Sequence, residues 1–210
     1  MKKTAILVFL VLITTGAFAQ SWMSAGGGVL LNYSFNNGLK HDDGKIGYNI
    51  LSFSGFGFFD AKYAEADIGF AYGSVNYYAK GGSGTGNAGS MMQLNLSLLG
   101  KYPIYIGAIT IFPLLGVDYN FVLAYINADG NKVNSAGKLF NQSALLLGLG
   151  LDYDLANSLY LRCEALFYFR TYFKYWDDND VIDTYILLYG NHETTQSMGT
   201  QIKLAIGYRF

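Results

Sequence analysis

The sequence predicts an all-β protein, an eight-stranded antiparallel up-and-down transmembrane β-barrel. Three observations lead to this prediction. Apolar and polar residues alternate along most of the chain, no apolar run beyond residue 19 is long enough to form a membrane-spanning helix, and short connections alternate with long ones. The chain is 51% hydrophobic and 17% aromatic, and strands with one apolar face account for this composition without helices.

The N-terminus has the layout of a secretory signal peptide. Lys2 and Lys3 precede an apolar run from Ala5 to Phe18, and Ala17-Phe18-Ala19 has the small-x-small pattern that signal peptidase reads. We therefore expect residues 1–19 to be cleaved and residues 20–210 to form the exported barrel domain. The alternative, an uncleaved anchor, needs about 20 apolar residues, which this run lacks.

Charge and cysteine content exclude several classes of protein. The chain has 14 Lys and Arg against 15 Asp and Glu, without a basic cluster, so nucleic acid is not an expected partner. Cys163 is the single cysteine, so no internal disulfide framework can form. We expect Cys163 to be a small side chain that faces the membrane.

Strand-like alternation recurs in seven segments, each with an apolar column on one face and polar residues or glycines on the other. The apolar columns are Val29–Phe35, Ile68–Tyr72, Met92–Leu98, Leu115–Phe121, Leu145–Tyr153, Leu159–Phe167 and Ile202–Phe210. An eighth strand is expected within 46–59, where Phe53 and Phe59 share one parity while Phe56 and Phe58 share the other. A β-bulge would explain that conflict.

The lengths of the connections indicate a barrel whose two ends carry different kinds of loop. Three are short and four are longer and polar, as in outer-membrane barrels. The short ones are Asp60–Lys62, Pro103–Gly107 and Asp154–Asn157, and the long ones are Asn36–Lys45, Ala79–Ser90, Asn127–Lys138 and Thr171–Ser197. An even strand count places both termini on the periplasmic side, with the short turns.

The direction of the apolar face decides between a membrane barrel and a soluble, lipocalin-like one. Glycines share the parity of the polar residues, which suits the narrow interior of a small barrel. They are Gly28, Gly69, Gly73, Gly116, Gly148, Gly150 and Gly207. The apolar columns end in aromatic residues, as at membrane interfaces. Both observations favour polar residues inside and apolar residues in contact with lipid.

This orientation places charged residues of both signs in the lumen, where buried charges require partners. We expect a salt-bridge network that plugs the lumen; the alternative is a path for ions or protons through the same groups. The predicted members are Glu65, Asp67, Lys101, Asp118, Asp152, Arg162, Glu164, Lys203 and Arg209.

Other motifs do not predict chemistry. Gly84–Gly89 matches a dinucleotide fingerprint, but a strand rather than a helix is expected after it. The acidic loop around Asp177 and Asp183 lacks the spacing of a calcium loop. His41 and His192 lie in expected loops without a catalytic serine motif. We expect no enzymatic activity, no cofactor and no metal ion.

Several segments resemble small outer-membrane β-barrel proteins of the OmpA-transmembrane, OmpX and OmpW type. They are Tyr63–Gly69, Leu98–Pro103, Leu159–Arg162 and the final strand, which ends in Phe210. The resemblance implies an outer-membrane barrel, with Ile206, Tyr208 and Phe210 forming the signal read by the barrel assembly machinery. Membrane lipids and that machinery are therefore the expected partners.

Two functions remain open at this point. The first is a structural or surface-interaction role of adhesion type, with a largely plugged lumen and loops that meet a surface ligand. The second is an OmpW-like conduit for small hydrophobic molecules, or a narrow pore, because apolar residues also occur on the interior parity. Those residues are Leu30, Phe112, Leu114, Val122 and Leu146.

Overall fold

The computed structural model describes residues 23–36, 39–41, 44–80, 85–133, 141–171 and 196–210, so the predicted signal peptide lies outside the described residues. These residues contain no helix that is long and apolar enough to cross a membrane. They form β1 (Met23–Asn36), β2 (Leu39–His41), β3 (Gly44–Ala61), β4 (Ala64–Lys80), β5 (Thr85–Lys101), β6 (Ile104–Ile106), β7 (Ile109–Asn127), β8 (Gln142–Asp154), β9 (Leu159–Thr171) and β10 (Gln196–Arg209).

The eight long strands form a closed antiparallel barrel. Around the barrel the order is β1, β10, β9, β8, β7, β5, β4 and β3, and β1 closes the ring by pairing with both β10 and β3. The short strands β2 and β6 extend the hairpins of β3 and β7. The predicted fold class is confirmed.

The two ends of the barrel differ. We call the end that holds the start of β1 and the end of β10 the turn end, and the opposite end the loop end. At the turn end, β3 continues through Ala61 and the chain turns at Lys62 and Tyr63, so the turn begins two residues later than predicted. At the loop end, the predicted Ala79–Ser90 loop is too long, because β4 reaches Lys80 and β5 already starts at Thr85.

The faces follow the predicted parity. On the outer wall, side chains such as Leu147, Leu149 and Ile206 are more than half exposed, whereas the alternate positions are buried. Aromatic rings mark both margins of this wall, with Tyr119 and Phe121 towards the loop end and Tyr208 and Phe210 at the turn end. A soluble barrel would have the reverse arrangement, so that alternative is wrong for this chain.

The prediction of a β-bulge in β3, the strand with phenylalanines of both parities, is also wrong. The register of β3 runs without a shift against both β1 and β4. Phe53 and Phe59 point outward, while Phe56 and Phe58 are buried in the lumen. Register shifts occur instead between Val75 and Asn76 and between Met92 and Gln93. The conflict in parity arises because the lumen accepts aromatic rings wherever a neighbouring strand contributes glycine.

Inward glycines allow strands to approach closely inside this narrow barrel. A Cβ atom on Gly148 would meet the carbonyl oxygen of Ala165 and the Cα atom of Leu166, both of them backbone atoms that have no freedom to rotate away. A Cβ atom on Gly55, which faces outward, would meet nothing within 4 Å. Substitutions at these two positions therefore distinguish the steric effect of an added Cβ atom from the general effect of replacing glycine in a strand.

We expect Gly148→Ala to destabilise the barrel by about 1–3 kcal/mol, because overpacking has to displace backbone. The matched control, Gly55→Ala, is expected to be neutral or slightly stabilising. Urea unfolding in lipid vesicles, followed by the gel mobility of the folded form, measures both. Equal losses for the two variants would contradict the assignment of Gly148 to a close approach.

Candidate functional site in the barrel lumen

Charged side chains fill the half of the lumen next to the turn end. All of them come from inward positions of the strands; seven are buried, and the side chain of Lys101 is 4% exposed. The cluster consists of Asp60 on β3, Glu65 and Asp67 on β4, Lys101 on β5, Asp152 on β8, Arg162 and Glu164 on β9, and Lys203 on β10. We refer to these eight residues as the lumen cluster.

Arg162 is the centre of the lumen cluster. Its Nε atom lies 2.7 Å from Asp152 Oδ1, and its Nη2 atom lies 2.6 Å from Asp60 Oδ2 and 2.8 Å from Asp152 Oδ2. Its Nη1 atom donates to Glu65 Oε2. Since β9 and β4 stand on opposite sides of the eight-strand ring, the bond to Glu65 crosses the full width of the lumen.

The two lysines complete the cross-lumen contacts. Lys203 on β10 pairs with Asp67 on β4, and its Nζ atom lies 3.1 Å from Glu164 Oε2. Lys101 on β5 pairs with Asp60 on β3. Each cation thus joins strands that are not neighbours in the sheet, and charge-assisted hydrogen bonds of this kind are the strong ones in proteins.

Aromatic rings surround the cations of the lumen cluster. The Arg162 guanidinium carbon lies 4.7 Å from the ring centroid of Phe58 and 5.2 Å from those of Phe112 and Tyr160. Lys101 Nζ lies 4.6 Å from the Phe112 centroid. These cation–π contacts stabilise desolvated cations, and they explain why the inward face of β3 and β7 carries phenylalanine beside charge.

The structure places two predicted members apart from the lumen cluster. Arg209 lies at the mouth of the turn end, where its Nη1 atom is 2.6 Å from Asp154 Oδ1 and both side chains keep about a third of their surface exposed. Asp118 lies nearer the loop end, where Ser97 Oγ donates to its Oδ1 atom at 3.4 Å.

Sequence reasoning missed Asp60. The sequence predicts Asp60 as the first residue of a turn, whereas it is an inward residue of β3 that binds both Lys101 and Arg162. Its parity agrees with that of Phe56 and Phe58, so the signal was present once the face of those rings was known. The uncertain face of this one strand was the reason for the omission.

Next to the loop end the described interior is polar and mostly uncharged. Asn32, Gln93, Asn95, Asn120 and Gln201 are buried there, and Asn32 Nδ2 donates to Ser52 Oγ at 3.1 Å. The lumen is therefore divided into a charged half and an amide-lined half. Between and beside them, interior apolar residues pack in two clusters, one around Leu114 and Leu146 and one around Leu30 and Phe56.

The interior apolar residues on which the prediction of a hydrophobic conduit rests are mostly packed in the two apolar clusters. Leu30, Phe112, Leu114 and Leu146 are at most 5% exposed and belong to the two apolar clusters, while Val122 is half-buried. They contact other side chains rather than line a described apolar channel.

Several predicted features fall on or near residues that are not described. The glycine-rich motif begins at Gly84, outside the described residues, and its remainder lies in β5, so no helix follows it. The acidic loop around Asp177 and the side chains of His41 and His192 lie outside the described residues. Among the assembly-signal residues, Ile206, Tyr208 and Phe210 all face outward.

Comparisons with known proteins agree with the fold. No family model and no curated protein sequence matches the chain. Among solved structures, Ail, the attachment invasion locus protein of Yersinia pestis, is 14% identical, with 90% of this chain and 97% of that chain covered and a TM-score of 0.42. Neisserial surface protein A is 9% identical, with 90% and 98% covered and a TM-score of 0.46.

A third match is the N-terminal β-barrel domain of Pseudomonas aeruginosa OprF. It is 12% identical, with 88% of this chain and 99% of that chain covered and a TM-score of 0.34. The three solved structures are similar to this chain over most of its length, at low sequence identity. The outer wall of the barrel indicates a location in a membrane. A continuous exposed apolar surface around a closed barrel requires lipid as its solvent. The protein is an integral outer-membrane β-barrel.

Removal of the central cation tests the energetics of the lumen cluster. We expect Arg162→Met to destabilise the barrel by about 3–5 kcal/mol, because it leaves three carboxylates without their shared partner. Arg209→Met removes a partly exposed pair and is expected to cost at most about 1 kcal/mol. Urea unfolding in lipid vesicles compares the two variants, and similar losses would show that Arg162 has no special role.

Proposed function

We propose that this protein is a closed outer-membrane barrel of structural or surface-interaction type, with a lumen that does not conduct ions. The observation that carries the proposal is the set of contacts from Arg162 and Lys203 to Asp60, Glu65 and Asp67 on the far side of the ring. Side chains that meet across the centre of an eight-stranded barrel occupy the space through which a solute would pass.

The burial of the same side chains supports a closed lumen. Arg162 and Lys203 are at most 2% exposed, although each is among the most strongly hydrated side chains in water. A continuous aqueous path through the charged half would leave them exposed. The alternative function, a conduit for small hydrophobic molecules, has less support because four of its five candidate lining residues are packed within the two apolar clusters.

Because the proposed lumen is closed, the connections at the loop end are the part of the barrel that is available to bind other molecules. The longest connection joins β9 to β10, and its sequence from 172 to 195 contains six aromatic residues and five acidic residues. Aromatic residues are enriched at the centres of protein interfaces. We propose that this connection supplies contacts to a partner on an external surface.

Single-channel recording in planar bilayers tests the closed lumen. The wild-type protein is expected to show no stable ion-selective conductance, with a known porin as the positive control in the same bilayers. The double variant Arg162→Ala with Lys203→Ala, checked for folding by its heat-dependent gel mobility, is expected to show small conductance steps. Stable conductance by the wild-type barrel would overturn the proposal.

Cell binding tests the surface role. Bacteria that display the wild-type barrel are expected to bind cultured epithelial cells several-fold better than bacteria that display a barrel in which residues 173–194 are replaced by a short Asn-Gly turn. The matched control replaces residues 155–158 at the turn end and should leave binding unchanged. Equal binding by all three strains, at equal surface amounts of barrel, would reject an adhesive role for this connection.

A further inference from the structure

The lumen cluster contains more acids than bases. Three cations, Lys101, Arg162 and Lys203, meet five carboxyl groups, which are those of Asp60, Glu65, Asp67, Asp152 and Glu164. Full ionisation would therefore give the cluster a net charge of −2. The next cation, Arg209, is paired with Asp154 at the mouth of the barrel and does not restore the balance.

Glu164 differs from the other acids of the lumen cluster because neither of its two carboxylate oxygens has a hydrogen-bond partner. Arg162 uses its Nε atom for Asp152, so Glu164 Oε1, 3.8 Å away, receives no hydrogen bond from it. Lys203 lies 3.1 Å from Glu164 Oε2, but it is shared with Asp67. The Glu164 side chain has no exposed surface, and its Oε1 atom has no hydrogen-bond partner.

Glu65, a neighbouring acid, also has a carboxylate oxygen that lacks a hydrogen-bond partner. Its side chain is also fully buried, and its Oε1 atom lacks a hydrogen-bond partner, although Lys203 Nζ is 3.9 Å away. Both acids thus lie within 4 Å of the same lysine. A buried carboxylate oxygen without a donor is unfavourable, whereas a neutral carboxyl group can itself donate a hydrogen bond.

Among the residues that the structure describes, no group of three or more His, Cys, Asp or Glu side chains is arranged to hold a metal ion. The groups that face Glu164 and Glu65 are Asp60 from β3, Asp67 from β4, Lys101 from β5, Asp152 from β8, Arg162 from β9 and Lys203 from β10; the inward side chains of β1 and β7 at this level are uncharged.

We propose that the lumen cluster is a proton-binding site in which Glu164, with Glu65 as its neighbour, holds a proton that reduces the excess negative charge from −2 to −1. The proposal rests on the closed lumen proposed above, because water around these groups would supply the hydrogen bonds instead. The cluster then binds a proton as its ligand, and its charge balance depends on the pH of the adjacent compartment.

The access route lies at the turn end. A cavity of about 390 Å³ opens there, and its lining includes Asp60, Lys101 and Asp152, which are also members of the lumen cluster. Asp60 and Asp152 accept hydrogen bonds from Arg162, and the Arg162 Nε atom lies 3.8 Å from Glu164 Oε1. On the loop side, Leu146 and Leu166 are buried in an apolar cluster. Protons therefore exchange with the periplasmic side.

Infrared spectroscopy of the barrel in lipid vesicles at neutral pH tests the proposal. We expect the wild-type spectrum to contain the carbonyl band of a protonated, buried carboxyl group, which shifts when H2O is replaced by D2O. The band should be lost in Glu164→Gln, which mimics the neutral acid. It should remain in Asp154→Asn, a matched control outside the lumen cluster. Glu164→Gln should also stay folded and lose less of its folded fraction than the wild type as the pH is raised.

The wild-type spectrum is decisive even where a variant fails to fold. Absence of a protonated carboxyl band, or its persistence in Glu164→Gln, would overturn the assignment. A folded fraction that rises on addition of K⁺ or Ca²⁺, with no such band, would overturn it in favour of a bound cation. Bilayer recording separates this result from failure of the proposed function: a silent barrel without the band is closed but binds no proton, whereas a conducting barrel is not closed.

Discussion

The bidentate and cross-lumen contacts of Arg162 organise much of this molecule. A guanidinium group that is 2% exposed must satisfy its donors within the protein, and here it does so with carboxylates from β3, β4 and β8. Those three strands can reach it only if the barrel is narrow. The narrow barrel in turn requires glycine at many inward positions, and the same limited space allows Phe58 and Phe112 to lie against the cation.

This arrangement reverses the usual order of a soluble protein. The side chains that face outward are apolar because lipid is their solvent, and the interior accepts charge because the charges neutralise one another at short range. The interior is graded as well: ion pairs dominate next to the turn end, and neutral amides dominate next to the loop end. The buried polar groups are thus ion pairs in one half of the lumen and neutral amides in the other half, within one continuous sheet.

Sequence alternation was sufficient to predict the closed sheet and the direction of its faces, because a one-residue parity decides whether a side chain meets lipid or the lumen. It also identified the charged parity on β4, β5, β8, β9 and β10. It failed for β3, where phenylalanine occurs on both faces and hydrophobicity carries no direction. The omission of Asp60 followed from that ambiguity. Alternation also gave no information on height within the barrel, so Asp118 and Arg209 were grouped with residues that lie at other levels.

The long-range character of the lumen cluster has a consequence for how the barrel is built. Arg162 is separated by 97 residues from Glu65 and by 102 residues from Asp60, and Lys203 is separated by 136 residues from Asp67. Contacts of such high sequence separation close long loops, and the entropic cost of that closure has to be overcome before the contacts stabilise the fold. A barrel whose first and last strands have not yet joined therefore carries unneutralised charges, and closing the seam between β1 and β10 removes that penalty. The completed cylinder is thus the arrangement that brings these charges of opposite sign together.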